Sequence, residues 1–288
     1  MKGKILLIDD NKLNQALIKD VFENEGYNVI VVSTALEGNK RVYSETFSLL
    51  LVNHKLPDIN GIEIVKEIRK NPLLSHLPIV ILTDVDDPST ENQIRQAGVD
   101  DYIKQPVSST VLLLKVHSLL EKAESTSLIS PIINLPGGFA FQKEIENKLK
   151  NQEKFGVLYA EVENIEQYSK IFGSKRSEEI IKFTFDIIRQ NIPPSSKIFH
   201  ITLNSFGILC LSEDVPLIGN GIVEKFNKEI LNYYSEKISL INICVVGASN
   251  YETPFSNYGE VAKVMFELIN YAKKFSKSIF IMNRRKRI

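Results

Sequence analysis

The sequence predicts a two-domain protein of the α/β class: a five-stranded parallel sheet covered by helices on both faces, followed by an α+β domain with a mixed sheet. Three observations predict it. The chain has 288 residues, too many for one typical domain and enough for two, each with its own core. Its first 122 residues alternate five times between a short apolar run and a stretch with apolar residues at helical spacing. Beyond that, strands and helices follow in mixed order, and two strands lie close enough to pair as a hairpin.

In the first half, Ile5–Ile8 is an all-apolar strand, and Lys12–Glu25 repeats apolar residues at helical spacing through Leu13, Ala16, Leu17 and Val21. The unit recurs as Val29–Val32 with Leu36–Tyr43, Leu49–Val52 with Ile62–Arg69, Ile79–Leu82 with Thr90–Gln96, and Asp101–Lys104 with Ser109–Lys122. Strands that are apolar on both faces need cover on both, which crossover helices supply, so the sheet is parallel. Function in such sheets gathers at the carboxyl ends of the strands. The residues there are Asp9 and Asp10, Asn53, Thr83, and Gln105 before Pro106. The helix at 109–122 carries Val111, Leu112, Leu113, Leu114, Val116, Leu119 and Leu120. These spread beyond the stripe of roughly 100° that one core contact takes, which implies a second partner surface.

Glu121–Pro131 loses its apolar periodicity and gathers the stretch ESTS, a helix end passing into a linker at 125–134. The domains are accordingly expected over 1–124 and 135–288. The second begins with a helix, Phe139–Lys150, and a strand, Gly156–Val162, that runs out into glutamates. A helix over Glu178–Gln190 is stopped by Pro193 and Pro194. Lys197–Ile201 and Phe206–Leu211 form the hairpin, and Ile222–Tyr233 (helix), Leu240–Val246 (strand), Tyr258–Lys274 (helix) and Ser278–Ile281 (strand) complete it.

Composition narrows the class of partner. Thirty-five basic and thirty-five acidic residues cancel, so no global positive field favours nucleic acid. Residues 1–127 are net −4 and residues 128–288 net +4, the surplus matching the tail Arg284, Arg285, Lys286, Arg287, which reads as a solvated end. Cys210 and Cys244 lie in apolar segments without zinc-site spacing and read as buried thiols. The first residues, MKGKILLID, enter a strand without a signal-peptide pattern, and no run reaches the roughly 18 apolar residues of a membrane span. A cytoplasmic protein is expected.

With an acidic pair after the first strand, LPDINGIE after the third, ILTD after the fourth and DDYIKQP around the fifth, residues 1–122 resemble the receiver domain of bacterial response regulators. The resemblance implies a flavodoxin-like fold. It also implies an acidic pair that holds Mg2+ (Asp9, Asp10), a phosphoacceptor aspartate after the third strand, and a hydroxyl (Thr83) and a lysine that grip phosphoryl oxygens. The aromatic expected to repack is Tyr102. Two positions depart from the pattern: the acceptor is Asn53 and the lysine is Gln105. Lys104 lies one residue too early, and a strand sends neighbours to opposite faces. An amide has no anionic oxygen with which to attack phosphorus, and loss of the lysine removes the charge that would stabilise the transferred group. The first domain therefore reads as a pseudoreceiver, with Asp9 and Asp10 retained as helix-capping acids or as a weak Mg2+ site. Tyr102 can still toggle if a partner biases it.

SPIINLPGG, VLYAEVENIEQYSKIFG and NYAKKFSKS, in their order along 128–283, resemble the GGDEF domain of diguanylate cyclases. The family signature falls on the hairpin and reads Thr202, Leu203, Asn204, Ser205, Phe206. Thr202 and Leu203 put side chains where glycines would admit phosphate, and Asn204 and Ser205 remove both acids. The family's metal-binding aspartate corresponds to Glu161, its acidic neighbour to Glu163, its guanine-reading pair to Ser169 and Glu178, and its phosphate-contacting lysine to Lys273. The regulatory cyclic di-GMP motif is replaced by Pro193, Pro194, Ser195, Ser196. Two-metal phosphoryl transfer needs several converging carboxylates, and Glu161 alone is thin support for it.

Joint loss in both halves favours a protein kept for its surfaces. The expectation is a phosphorylation-independent, non-catalytic adaptor of response-regulator type that binds signalling proteins. Its dimer would form through the fourth helix, fifth strand and fifth helix, as the family resemblance implies. The alternative is a sensor that binds GTP or cyclic di-GMP in the old pocket, with Glu161 and Lys273 as contacts. A working diguanylate cyclase ranks third.

Overall fold

The computed structural model describes residues 2–106, 108–126, 130, 132–233 and 241–283. The basic tail Arg284–Arg287, Pro131 and linker residues 127–129 lie outside the described residues, as does Leu240, the expected start of a strand. The chain divides into two compact units, Met1–Ser127 with Asn257–Glu260, and Leu128–Ser256 with Val261–Ile288.

The first unit alternates β1 (Lys4–Ile8), α1 (Lys12–Asn24), β2 (Asn28–Val32), α2 (Ala35–Ser44), β3 (Leu49–Asn53), α3 (Gly61–Arg69), β4 (Ile79–Thr83), α4 (Pro88–Gln96), β5 (Asp101–Lys104) and α5 (Ser109–Thr126). The strands pair in parallel in the order β2-β1-β3-β4-β5. Leu49–Val52 and Ile79–Leu82 are fully buried, as strands covered on both faces require. Side chains at the helix starts satisfy the amides that a helix leaves open. Asn11 caps α1, Thr34 α2, Asn60 α3 and Asp87 α4. Asp58 adds a second clamp on α2, accepting from the Ala35 and Leu36 amides at 2.9 Å each. The expected end of the fifth helix at Lys122 is corrected: α5 continues to Thr126, since polar residues without Gly or Pro do not stop a helix.

The second unit contains α6 (Gly138–Lys150), β6 (Gly156–Glu163), α7 (Ile165–Phe172), α8 (Ser174–Asn191), β7 (Lys197–Thr202), β8 (Ser205–Cys210), α9 (Val215–Tyr233), β9 (Asn242–Ser249), α10 (Tyr258–Ala272) and β10 (Ile279–Met282). Its sheet runs β10-β9-β6-β8-β7, antiparallel except for the parallel pair β9 and β10. Leu158, Ala160 and Val162 of β6 join Ile180, Ile187, Ile222 and Phe226 of α8 and α9 in one core.

Two helix boundaries differ from expectation. The helix expected from Glu178 starts at Ser174, directly after α7, with Gly173 at φ +89° taking the sharp turn between them. The helix expected from Ile222 starts at Val215, with Pro216 in its first turn, where a missing N–H costs nothing. Gly219 sits inside that helix, where a Cβ would lie 2.3 Å from the Phe280 ring.

Candidate functional site

At the carboxyl end of the first sheet the structure brings Asp9, Asp10 and Asn53 together. The Asn53 amide Nδ2 donates to Asp9 Oδ1 at 3.1 Å and to Asp10 Oδ1 at 3.4 Å. Asp9 is fully buried and also accepts from the Asn11 backbone N–H at 2.9 Å and from Asn14 Nδ2 at 3.4 Å. Burial pushes the Asp9 carboxyl above its ordinary pKa, the Asn11 and Asn14 bonds oppose that shift, Asp10 adds to it and Asn53 opposes it. An aspartate at position 53 would bring a third negative charge, and the amide brings a donor instead.

This set fits Mg2+ poorly. The amide turns its N–H side, not its carbonyl oxygen, toward the acid pair, and a hard cation takes oxygen ligands. Among the described residues no group of three or more His, Cys, Asp or Glu side chains could hold a metal ion.

Thr83 ends β4 fully within the fold, and its hydroxyl is engaged by a residue that sequence reasoning passed over. His54 is buried directly after Asn53, with Nδ1 3.2 Å from Thr83 Oγ1 and Nε2 3.3 Å from Asn60 Nδ2. The tautomer follows from Asn60. Its Oδ1 accepts from the Ile62 amide at 2.8 Å, so its Nδ2 is the atom that donates to His54 Nε2. His54 therefore carries its proton on Nδ1 and donates it to Thr83 Oγ1, which also accepts from the Val85 amide at 3.1 Å. A lone histidine after an apolar strand gave no sequence signal, because its partners lie on β4 and α3. Gly61 closes the same corner: its N–H donates to His54 O at 2.8 Å, and an added Cβ would fall 2.1 Å from Asn53 O.

Gln105 occupies the expected place before a cis proline, its N–H donating to Thr83 O at 2.7 Å. Lys104 is turned to the other side, paired with Asp86 and, at 2.9 Å, with Glu91, which hold its ammonium well above the ordinary lysine range. Tyr102 also faces α4: its hydroxyl donates to Glu91 Oε2 at 2.8 Å and the Arg95 guanidinium lies 5.1 Å from its ring centre. Beside them is a groove of about 450 Å³ lined by Arg95, Tyr102, Lys104, Pro106, Val111 and Lys115. On α5, Leu112 and Val116 enter the core while Val111 and Leu114 stand exposed, the latter at 65%.

In the second unit the β7–β8 turn is closed by its own side chains. Thr202 Oγ1 lies 2.6 Å from Ser205 Oγ and donates to Asn204 Oδ1 at 3.1 Å. Asn204 Nδ2 donates to Val162 O at 2.8 Å, while Asn204 O accepts from the Val162 N–H at 2.9 Å. Phe206 is buried, and Leu203 projects outward at 59% exposure. Leu203 lines a cavity of about 380 Å³ with Ile165, Ser169, Glu178 and Ile181. Glu161 and Lys273 bind each other at 2.7 Å and do not line it. Burial raises the Glu163 carboxyl above its ordinary range, opposed by its hydrogen bond with Cys244 and by Lys273. Both thiols are buried and raised by that burial, Cys210 to about 12, consistent with unreactive positions. Pro193–Ser196 is a turn between α8 and β7, with the Ser196 N–H donating to Pro193 O at 2.9 Å. No helix among the described residues is long and apolar enough to cross a membrane.

A family profile for the response regulator receiver domain matches residues 5–117. The polar-differentiation response regulator DivK of Brucella ovis is 29% identical over 123 residues, which span 43% of this chain and all of that protein; DivK of Brucella abortus aligns equally well. Among solved structures, a CheY-like receiver domain protein from Methanospirillum hungatei is 32% identical, covering 43% of this chain and 97% of its own, with a TM-score of 0.41. The first unit is a response regulator receiver domain with a five-stranded parallel sheet.

Proposed function

We propose that this chain, a receiver domain joined to an α+β unit, is a non-catalytic signalling adaptor whose receiver works without phosphorylation at position 53. The observation that carries this reading is the Asn53 amide bridging both acids of the pair, which puts a hydrogen-bond donor where phosphoryl transfer needs a nucleophile. Gln105 in place of a lysine and a Thr83 hydroxyl already bonded to His54 support it. The partners are signalling proteins. A homodimer through α4, β5 and α5 is supported by exposed Val111 and Leu114 beside the groove under Tyr102. We read the second unit as a degenerate GGDEF domain, whose turn at Thr202–Phe206 bonds to itself and offers no acid pair to metal.

Incubation with labelled acetyl phosphate and Mg2+ tests the reading. The wild-type chain is expected to take up no label, and stable label on it refutes phosphate independence. Assay of the same protein with GTP and Mg2+ is expected to yield no cyclic di-GMP.

A second reading, a nucleotide sensor, is favoured by the cavity that brings Ser169, Glu178 and Leu203 together. Melting temperature measured against GTP, GDP and cyclic di-GMP, with and without Mg2+, separates the two, because a ligand selective for the native state raises it. Binding that survives Lys273→Ala unchanged removes Lys273 from the site.

A further inference from the structure

The second sheet ends in a strand with a free outer edge. Among the described residues β10 pairs only with β9 and closes the order β10-β9-β6-β8-β7. The Asn283 N–H donates to Gly247 O at 2.8 Å. Backbone groups alternate sides along a strand, so those of Ile281 also face β9, and the N–H and C=O of Phe280 and Met282 point out of the sheet edge. Edge strands are ordinarily blunted by charges, prolines or bulges. Ile279–Met282 carries neither charge nor proline and keeps a regular register with β9.

Beside this edge runs a groove of about 430 Å³ between β10 and α10. Its walls include Ile281 and Met282 on the strand and Val264, Leu268 and Tyr271 on the helix, spaced to share one helix face. Tyr271 is exposed and meets the ring of Phe275, also exposed, edge to face. The Phe280 side chain is committed elsewhere, packed over Gly219 and Gly247.

A free edge with an apolar groove alongside is what an extended peptide requires: main-chain bonds to the strand, and alternate side chains in the groove. The charge around it selects the peptide. Lys274 and Lys277 stand exposed just before β10, and Arg284, Arg285, Lys286 and Arg287 follow it in sequence. Glu267 on the helix wall disfavours an acid in the middle of the bound segment. A second copy of this chain is a poor occupant. An antiparallel pair with Phe280 opposite Met282 would carry each Lys277 toward the sequence from Arg284 onward in the other copy, and like charges set opposite each other destabilise a ladder.

We propose that β10 and its groove bind, by strand addition, an extended segment of a partner protein, with alternating apolar residues in its middle and acidic residues at its ends. This adds a partner class to the adaptor reading and does not depend on position 53, so the acetyl phosphate result bears on that reading alone.

The test uses the full chain and the fluorescein-labelled peptide EEITVTIEE, with KKITVTIKK as its charge-reversed counterpart, followed by anisotropy and by amide hydrogen exchange. EEITVTIEE is expected to bind saturably, and KKITVTIKK at least about tenfold more weakly. Bound EEITVTIEE should slow exchange of the outward Phe280 and Met282 amides. Leu268→Asp should weaken binding about tenfold, as loss of a buried apolar contact does. Met282→Pro should also weaken it while leaving the melting temperature nearly unchanged, because proline is tolerated where an edge N–H faces outward but removes that donor. If the proline variant loses stability, Leu268→Asp and the exchange of the wild-type amides decide. Absence of saturable binding, equal binding of the two peptides, unslowed Phe280 and Met282 amides, or unchanged affinity in Leu268→Asp overturns the proposal. A dimer of the chain that forms without peptide and is lost in Met282→Pro makes a second copy the occupant, and overturns it too.

Discussion

Replacing Asn53 by aspartate exchanges a hydrogen-bond donor for a third carboxylate in a site that already holds two, with almost no change in shape. The lost donor bond to buried, charged Asp9, 3.1 Å long, is of the class that contributes about 1.5–3 kcal/mol. Repulsion at that distance, with an effective dielectric near 20, would reach about 5 kcal/mol. The site can take up a proton instead, which at pH 7 costs an ordinary aspartate about 4 kcal/mol and so caps the second contribution. Asp10 is exposed and its longer bond adds little. Asn53→Asp should therefore lose between about 2 and 7 kcal/mol of unfolding free energy at pH 7 in the absence of divalent ions. The added acid has a raised pKa in the folded state, so its penalty is full at high pH and shrinks as pH falls through that value. Millimolar Mg2+ should restore much of the loss, because three converging carboxylates form the oxygen set that two acids and an amide do not. Urea unfolding of both proteins at pH 5 and 7, with and without Mg2+, measures each quantity. Equal stability at pH 7 without Mg2+, or a wild-type gain from Mg2+ matching the variant's, would refute the reasoning.

Three further outcomes follow from the same structure. His54 has its pKa lowered, first by burial and then by Lys55, against Asp84 and Asp87. The unfolded chain thus binds the proton better, and the stability due to neutral His54 is full above about pH 6.5 and is lost as pH falls below it; His54→Gln should flatten the wild-type stability curve over that window. Gly61→Ala drives a Cβ into the Asn53 carbonyl, 2.1 Å away, and should lower the urea midpoint by an amount worth about 1–3 kcal/mol. Arg69 is nearly buried and donates to Gly98 O, Leu74 O and Asp100, so Arg69→Ala should cost about 2–4 kcal/mol by the same assay, whereas Lys66→Ala on the exposed side of α3 should cost almost nothing.

By itself the sequence determined the alternation of strands and helices in residues 1–122, because a strand buried on both faces must be apolar throughout and a covering helix must repeat at 3.6 residues. It also determined which residues end the strands, so Asp9, Asp10, Asn53 and Thr83 were legible as one constellation, and strand alternation placed Lys104 away from it. Helix ends were less legible. The helix expected from Ile222 begins at Val215, with Phe280 packed where a side chain at 219 would be, and ESTS read as a helix end although α5 runs on to Thr126. Tertiary structure alone decided what the strand-end residues do. The direction in which Asn53 turns its amide depends on two acids 43 and 44 residues away, and the state of the Thr83 hydroxyl on a histidine bridged to the cap of α3. In the second unit, Ser130 meets His200 across 70 residues. Hydrogen bonds depend on the approach of groups that chain folding brings together, and no local pattern of residue types records that approach.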